Sequence, residues 1–159
     1  MNQVTREPKT KNYAHEQTTP EQGIGFLLWY ISTSWRASIE AVLEEYDLTH
    51  PQFVVLAALG WLTQDNEKVN QASIGKMISL DPNTTSQILK GLEAKKFIKR
   101  AVSLDARSKH PVLTTRGSNI LVDALPAVEA ADRQFFNVLT KSEVELLTKL
   151  FGKLSFNRK

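Results

Sequence analysis

The sequence predicts a mainly α-helical fold interrupted by a single small β-hairpin. Three observations lead there. Helix-start residues recur along the chain, each followed by apolar side chains at helical spacing. Two of the resulting helices are short and adjacent, and one strand–turn–strand pattern separates the fourth helix from the fifth. The chain has 159 residues, 42% of them hydrophobic and 23% charged, which is enough for one domain with its own core. It contains no cysteine, and this excludes disulfides, cysteine zinc sites, thiol nucleophiles and thiol redox switches together.

Taken in order, residues 1–18 are polar, lack apolar periodicity and read as a flexible tail. Thr19 is placed to cap the first helix, with Pro20 at its first position and Gln22 completing a capping box. The helix that follows, through Trp29, Tyr30, Ile39 and Leu43, is apolar on nearly every side over residues 24–31. Such a helix must be covered, and a second subunit is the simplest cover for so short a chain. Thr49 with Gln52 opens a second helix, and Leu48 staples against Phe53. Asn70 caps a short third helix. Asp81 followed by Pro82 opens a fourth, expected to run to about Lys96. Phe97, Ile98 and Val102 form a strand signal, residues 103–110 a polar turn, and Val112 and Leu113 a second strand. Pro111 has no N–H to give to a ladder, so its strand should be an edge. Thr114-Thr115-Arg116-Gly117 leads into the fifth helix, and Thr140 with Glu143 opens the last.

Charge is distributed unevenly along this framework. Residues 66–117 hold ten Lys/Arg against four acids, a net +6, while the rest of the chain holds ten against thirteen, a net −3. Positive charge gathered in one contiguous third is the footprint of a nucleic-acid-binding surface, or else a solvated basic face without a partner. Within that third, the short third and fourth helices are joined by the tight turn Ser79-Leu80-Asp81-Pro82, the grammar of a helix-turn-helix. On the fourth helix Thr85, Ile88, Leu89 and Leu92 share one face, and Asn83, Thr84, Gln87 and Lys90 share the opposite one, which has no acid. Amides, hydroxyls and an amine can reach base edges and phosphates in a major groove. The candidate DNA-binding residues are therefore Asn83, Thr84, Thr85, Gln87 and Lys90 on the helix, with Arg107 and Lys109 on the hairpin. A guanidinium on a thin loop suits the minor groove, and Asp105 is the residue expected to orient Arg107 and stabilise the wing.

These segments resemble the MarR family. Residues 85–100, TSQILKGLEAKKFIKR, look like its recognition helix and first wing strand. Asp105-x-Arg107 followed by Leu113-Thr114-x-x-Gly117 is similar to its wing signature, and Leu48-Thr49-x-x-Gln52-Phe53 to the opening of its second helix. The likeness runs over about residues 24–154. Pro111 departs from it, standing where the family usually has an aliphatic residue. The resemblance implies a mainly α fold with a small β-hairpin wing, a winged helix-turn-helix lobe (residues 47–117) plus a helical dimerisation region (residues 19–46 and 118–159), in one domain over 19–159. It further implies a homodimer on a pseudo-palindromic operator in double-stranded DNA, a repressor more than an activator. A small aromatic or anionic effector would bind between the dimer region and the lobe. Trp29, Tyr30, Trp35, Arg36 and Trp61 are candidates to line that ligand site, with Arg36 pairing an anion. The alternative is that these aromatics are plain core and Arg36 is on the surface.

The rival classes find less in the sequence. His15, His50 and His110 form no cluster, so neither a catalytic residue nor a metal site is expected, and no cofactor. Gly23-x-Gly25 lies in a helix start, not after a strand, so no dinucleotide loop is expected. A winged-helix module that binds protein only would leave the acid-free face of the fourth helix unexplained. The longest apolar run, residues 53–62, has ten residues, short of the about 20 that span a bilayer, and no signal peptide is apparent. The expected location is cytoplasmic, with no membrane partner.

Overall fold

The computed structural model describes residues 23–64, 69–102 and 109–156. The tail over 1–18, the Thr19 cap and the hairpin tip lie outside them. The elements run α1 (Ile24–Leu43), a 3-10 turn (Glu44–Tyr46), α2 (His50–Leu62), α3 (Gln71–Ile78), α4 (Pro82–Ala94), β1 (Ile98–Val102), β2 (Lys109–Leu113), α5 (Thr115–Phe135) and α6 (Lys141–Phe156). This is the predicted order, mainly helical with one hairpin. The fourth helix stops at Ala94, before the expected Lys96, because Lys96 adopts a left-handed φ of 61°.

The chain divides into two compact units, Met1–Thr33 and Ser34–Lys159. In the first, Phe26 stacks on Tyr30 with ring centroids 6.4 Å apart and tilts against Trp29 at 6.2 Å. Every residue over 24–31 is exposed, Trp29 at 63%. The second unit holds the core. Ile39 and Leu43 of α1, Val55, Leu56 and Leu59 of α2, Ile74 of α3, Leu89 and Leu92 of α4, and Phe97 and Ile98 at the hairpin's base all pack there. Each large aliphatic side chain so buried is worth about 1.5–3 kcal/mol.

Local chemistry fixes the helix ends. Thr49 Oγ1 accepts from Gln52 N while Gln52 Oε1 accepts from Thr49 N, the reciprocal box that the sequence predicts. Asn70 and Ser73 form a second such box, and Thr140 and Glu143 a third. At three C-terminal ends the chain turns through a left-handed residue that is not glycine: Asp47 (φ 54°), Ser79 (φ 57°) and Lys96. The antiparallel hairpin pairs Ile98 with Leu113 and Arg100 with Pro111, so Pro111 does lie in an edge strand, as both strands of a two-stranded sheet must. The hairpin's root is pinned to α5. Thr114 N donates to the Phe97 carbonyl at 3.0 Å, and Thr114 Oγ1 caps α5 by accepting from Gly117 N at 3.0 Å. A Cβ on Gly117 would lie 1.8 Å from the Phe97 oxygen.

Two substitutions test this frame in opposite directions. Gly117→Ala forces strand and helix apart and should destabilise by roughly 1–3 kcal/mol. Ser79→Gly relieves a left-handed residue and should stabilise by about 0.5–1 kcal/mol after the added chain entropy of glycine. Urea melts followed by circular dichroism read both; a neutral Gly117→Ala would mean that the close approach to Phe97 is wrong.

Candidate nucleic-acid interface

The turn between α3 and α4 is built from adjacent residues. Ser79 turns left-handed, and Leu80 N donates back to the Gly75 carbonyl at 2.9 Å. Asp81 then caps α4: Oδ1 accepts from Asn83 N (2.9 Å) and Thr84 N (3.0 Å), and Oδ2 from Thr84 Oγ1 (2.5 Å). The Thr84 hydroxyl, then its backbone N–H, hold the Asp81 carboxyl below the ordinary carboxylate range. Gln71 Nε2 reaches across from the start of α3 to the Pro82 carbonyl, 2.8 Å away. This contact was invisible in the sequence, because it joins residues brought together only by the turn.

On α4 the two faces separate as expected, with one correction. Asn83, Thr84, Gln87 and Lys90 are exposed on the outer side. Thr85 is not available to DNA: its side chain is fully buried, and its hydroxyl donates to the Asp81 carbonyl at 2.8 Å. Helical spacing had put it beside Leu89 and Leu92, and that face is the one that packs. The cations also divide. Lys76, Lys90, Lys96 and Lys99 are exposed, whereas Arg100 pairs with Glu93 (3.5 Å) and Lys95 with Asp47 (2.9 Å). The guanidinium of Arg116 sits over the Phe97 ring at 5.2 Å. Asp105 and Arg107 lie outside the described residues. Lys109 enters as the backbone of β2 opposite Val102, and its side chain is likewise outside them.

A family profile described as transcriptional regulator SarA/Rot matches residues 37–110, from α1 to the second wing strand. The HTH-type transcriptional regulator YdcH of Bacillus subtilis is 34% identical over 125 residues, covering 78% of this chain and 85% of that protein. Among solved structures, the MarR family protein Rv2887 of Mycobacterium tuberculosis, in complex with p-aminosalicylic acid, superposes with a TM-score of 0.65 at 27% identity, over 84% of this chain and 98% of the other. The chain belongs to the MarR family of winged helix-turn-helix transcriptional regulators. The MepR–DNA complex of Staphylococcus aureus shares the fold, with a TM-score of 0.75 at 23% identity, over 89% of this chain and all of that one. A MarR regulator binds DNA and is not an enzyme, and the reading as a protein-only module finds no support among these relatives. Among the described residues no group of three or more His, Asp or Glu is placed to hold a metal, and no helix is long and apolar enough to cross a membrane.

The MarR frame leaves the ligand candidates in separate places. Within the second unit, an apolar cavity of about 400 Å3 is lined by Phe53, Ala57, Trp61, Met77, Leu121 and Leu125, among others. Trp35 and Arg36 do not line it. Trp35 instead donates its indole N–H to Asp132 Oδ1 at 2.7 Å and sets its ring at 84° to that of His50, 5.1 Å away. Arg36 is exposed. Trp29 and Tyr30 belong to the first unit, exposed on α1. His50 stands at the first turn of α2, edge-on to Trp35. Burial, then the Arg36 charge, hold its pKa below the ordinary 6.5, with Glu40 opposing.

Thr85→Val should cost about 1 kcal/mol of stability through the lost hydroxyl bond, with the duplex affinity of the folded protein unchanged. Weakened duplex binding at unaltered stability would return Thr85 to the interface. For His50 the fold favours the neutral ring, while the unfolded chain takes up a proton at 6.5. Its contribution is complete above pH 6.5 and shrinks as pH falls from there to the lower folded value. Urea melts at pH 7.5 and 5.5 should show His50→Gln losing less stability between the two than the wild type does; equal losses would refute this linkage.

Proposed function

We propose that this regulator acts as a homodimer that grips a pseudo-palindromic operator, represses the promoter beneath it, and is released by a small aromatic ligand. The observation that carries the reading is the exposed, acid-free face of α4, on which Asn83, Thr84, Gln87 and Lys90 stand together at the end of a capped helix. Amides there suit adenine edges, and Lys90 suits guanine or phosphate. Arg107 and Lys109 on the hairpin are assigned to the minor groove and its phosphates, with Asp105 stabilising the wing. In this division residues 47–117 are the DNA-binding lobe, and the helices on either side pair the subunits.

Pairing is supported by apolar surface that the single chain leaves open. Val144, Leu146, Leu150, Phe151 and Leu154 of α6 are all exposed, the last at 66%, and so is the whole apolar run over 24–31 of α1. Surface of this kind marks an interface. Trp29 and Tyr30 fit that interface better than a ligand pocket. A two-fold axis would offer two α4 helices to half-sites about 34–36 Å apart, one turn of the duplex. For the effector, the cavity beside Trp61 suits an uncharged or weakly polar ring, since its lining residues include no cation. An anion would have to be met by Arg36, beside Trp35 and His50. A regulator of promoters works in the cytoplasm.

Fluorescence anisotropy on a duplex carrying the promoter of the protein's own gene tests the reading. Affinity should fall steeply with salt, by about 0.9 log units per phosphate contact per log of salt. Lys90→Glu and Arg107→Glu should each abolish retention, and sedimentation should find two chains per duplex. Retention unchanged in both variants would refute the assignment of these residues.

A further inference from the structure

We infer that Lys95 is a positioning residue of the DNA-binding site, not one of its phosphate contacts: it seats the end of the recognition helix on the turn that follows α1. The inference rests on the reading that the outer face of α4 meets a duplex.

Lys95 is the C-cap of α4 and sits in the most basic stretch of the chain, where residue type alone would make it a backbone contact. Its ammonium is already spent. It donates to the carbonyl oxygen of Asp47, to Asp47 Oδ1 at 2.9 Å and to Gln52 Oε1 at 3.2 Å. An ammonium has three N–H donors, and these are three acceptors. The side chain is only 27% exposed. Asp47 is itself specialised: it holds the left-handed φ of 54° that ends the turn after α1, a conformation that Asp tolerates, and so presents both backbone and side-chain oxygens to one cation. Gln52 Oε1 is shared, since it also accepts from Thr49 N in the capping box of α2. One turn before Lys95, Gly91 lies so near that a Cβ there would stand 3.0 Å from Gln52 Nε2. On its other side, the same end of α4 is held to β1 by Glu93 and Arg100. The tilt of α4 is thus fixed by Lys95, Gly91, Gln52 and Asp47 acting on one spot, at the junction through which α1 enters the lobe.

The salt response separates the two roles. A phosphate contact, when removed, makes the dependence of log affinity on log salt shallower by about 0.9 per lobe; a lost positioning group weakens binding equally at every salt concentration. Full-length wild type, Lys95→Met, Asp47→Asn and Gly91→Ala are titrated against the labelled promoter duplex at a series of KCl concentrations, at a temperature where circular dichroism shows each folded. Lys95→Met should bind about tenfold more weakly at every concentration with the slope unchanged. Asp47→Asn should weaken binding less, because the backbone carbonyl and Gln52 remain, and the double variant should be no weaker than Lys95→Met alone. Gly91→Ala, which makes the Gln52 amide give by a few tenths of an ångström and alters no charge, should weaken binding slightly at unchanged slope, and Asp47→Asn carries the test if Lys95→Met fails to fold. A shallower slope in Lys95→Met with Asp47→Asn at wild-type affinity would make Lys95 a phosphate contact and overturn the inference, as would wild-type binding by all the variants. If the wild type itself showed no salt-dependent binding, the reading of α4 would fall, and this inference with it.

Discussion

Gly75 and Thr85 meet where α3 and α4 cross, and the space between them holds no methyl group. A Cβ on Gly75 would lie 3.0 Å from both the Leu80 carbonyl oxygen and Thr85 Oγ1. That approach lets Thr85, Leu89 and Leu92 seal the inner side of α4 against α2 and α3 with nothing left exposed. The outer side is then presented by a helix whose inner side is fully packed. Contacts to base edges tolerate errors of only about half an ångström, so the packing behind the helix matters as much as the amides in front of it. The Asp81 cap and the Gln71 clip serve the same end from the N-terminal side, and the Lys95 seat from the other.

Electrostatics modify the simple count of charges. Ten cations in one third of the chain suggested a broad basic field, but two of them, Lys95 and Arg100, spend their charge on Asp47 and Glu93. Asp81, at the very start of the recognition helix, places a carboxylate where a phosphate would otherwise find free N–H groups. Its oxygens are occupied by Asn83 and Thr84, so this helix end is closed to anions. On the proposed reading, affinity for a duplex comes from exposed side chains such as Lys90, Lys96 and Lys99 together with the wing, and not from the helix dipole.

What could be read in the sequence was what depends on near neighbours. Thr49 with Gln52, Asn70, Asp81 with Pro82, and Thr140 with Glu143 each cap a helix using residues within three positions, and all of them form. The hairpin was legible because its strands differ in character from the helices on either side. Contacts across the fold were not legible. Nothing in a linear pattern ties Trp35 to Asp132, Gln71 to Pro82 or Lys95 to Asp47, since each depends on how turns aim distant elements. Thr85 shows the boundary: its spacing assigned it to the apolar face, its hydroxyl suggested the other, and spacing won because the Asp81 carbonyl was there to accept the hydroxyl's hydrogen bond. The ligand candidates were chosen by residue type, and type does not say that Trp61 lines a cavity while Trp35 does not.

Helix α1 has two characters, and this bears on how regulation would work. Residues 24–31 are exposed and apolar, surface that needs a partner, whereas Ile39 and Leu43 lie fully buried in the same core as Leu56, Leu89 and Leu92. The helix therefore does not end where the lobe begins. Close-packed interiors resist continuous deformation, so a displacement of its C-terminal half must move the lobe as a body. Leu48 N donates to the Leu43 carbonyl at 3.2 Å across the left-handed turn at Asp47, and this turn carries the acceptors that hold Lys95. Hydrogen bonds thus link the last turn of α1 to the end of α4 through Asp47. An effector that altered subunit pairing would change the separation of two recognition helices, not their internal shape, and a duplex with fixed half-site spacing is sensitive to that separation.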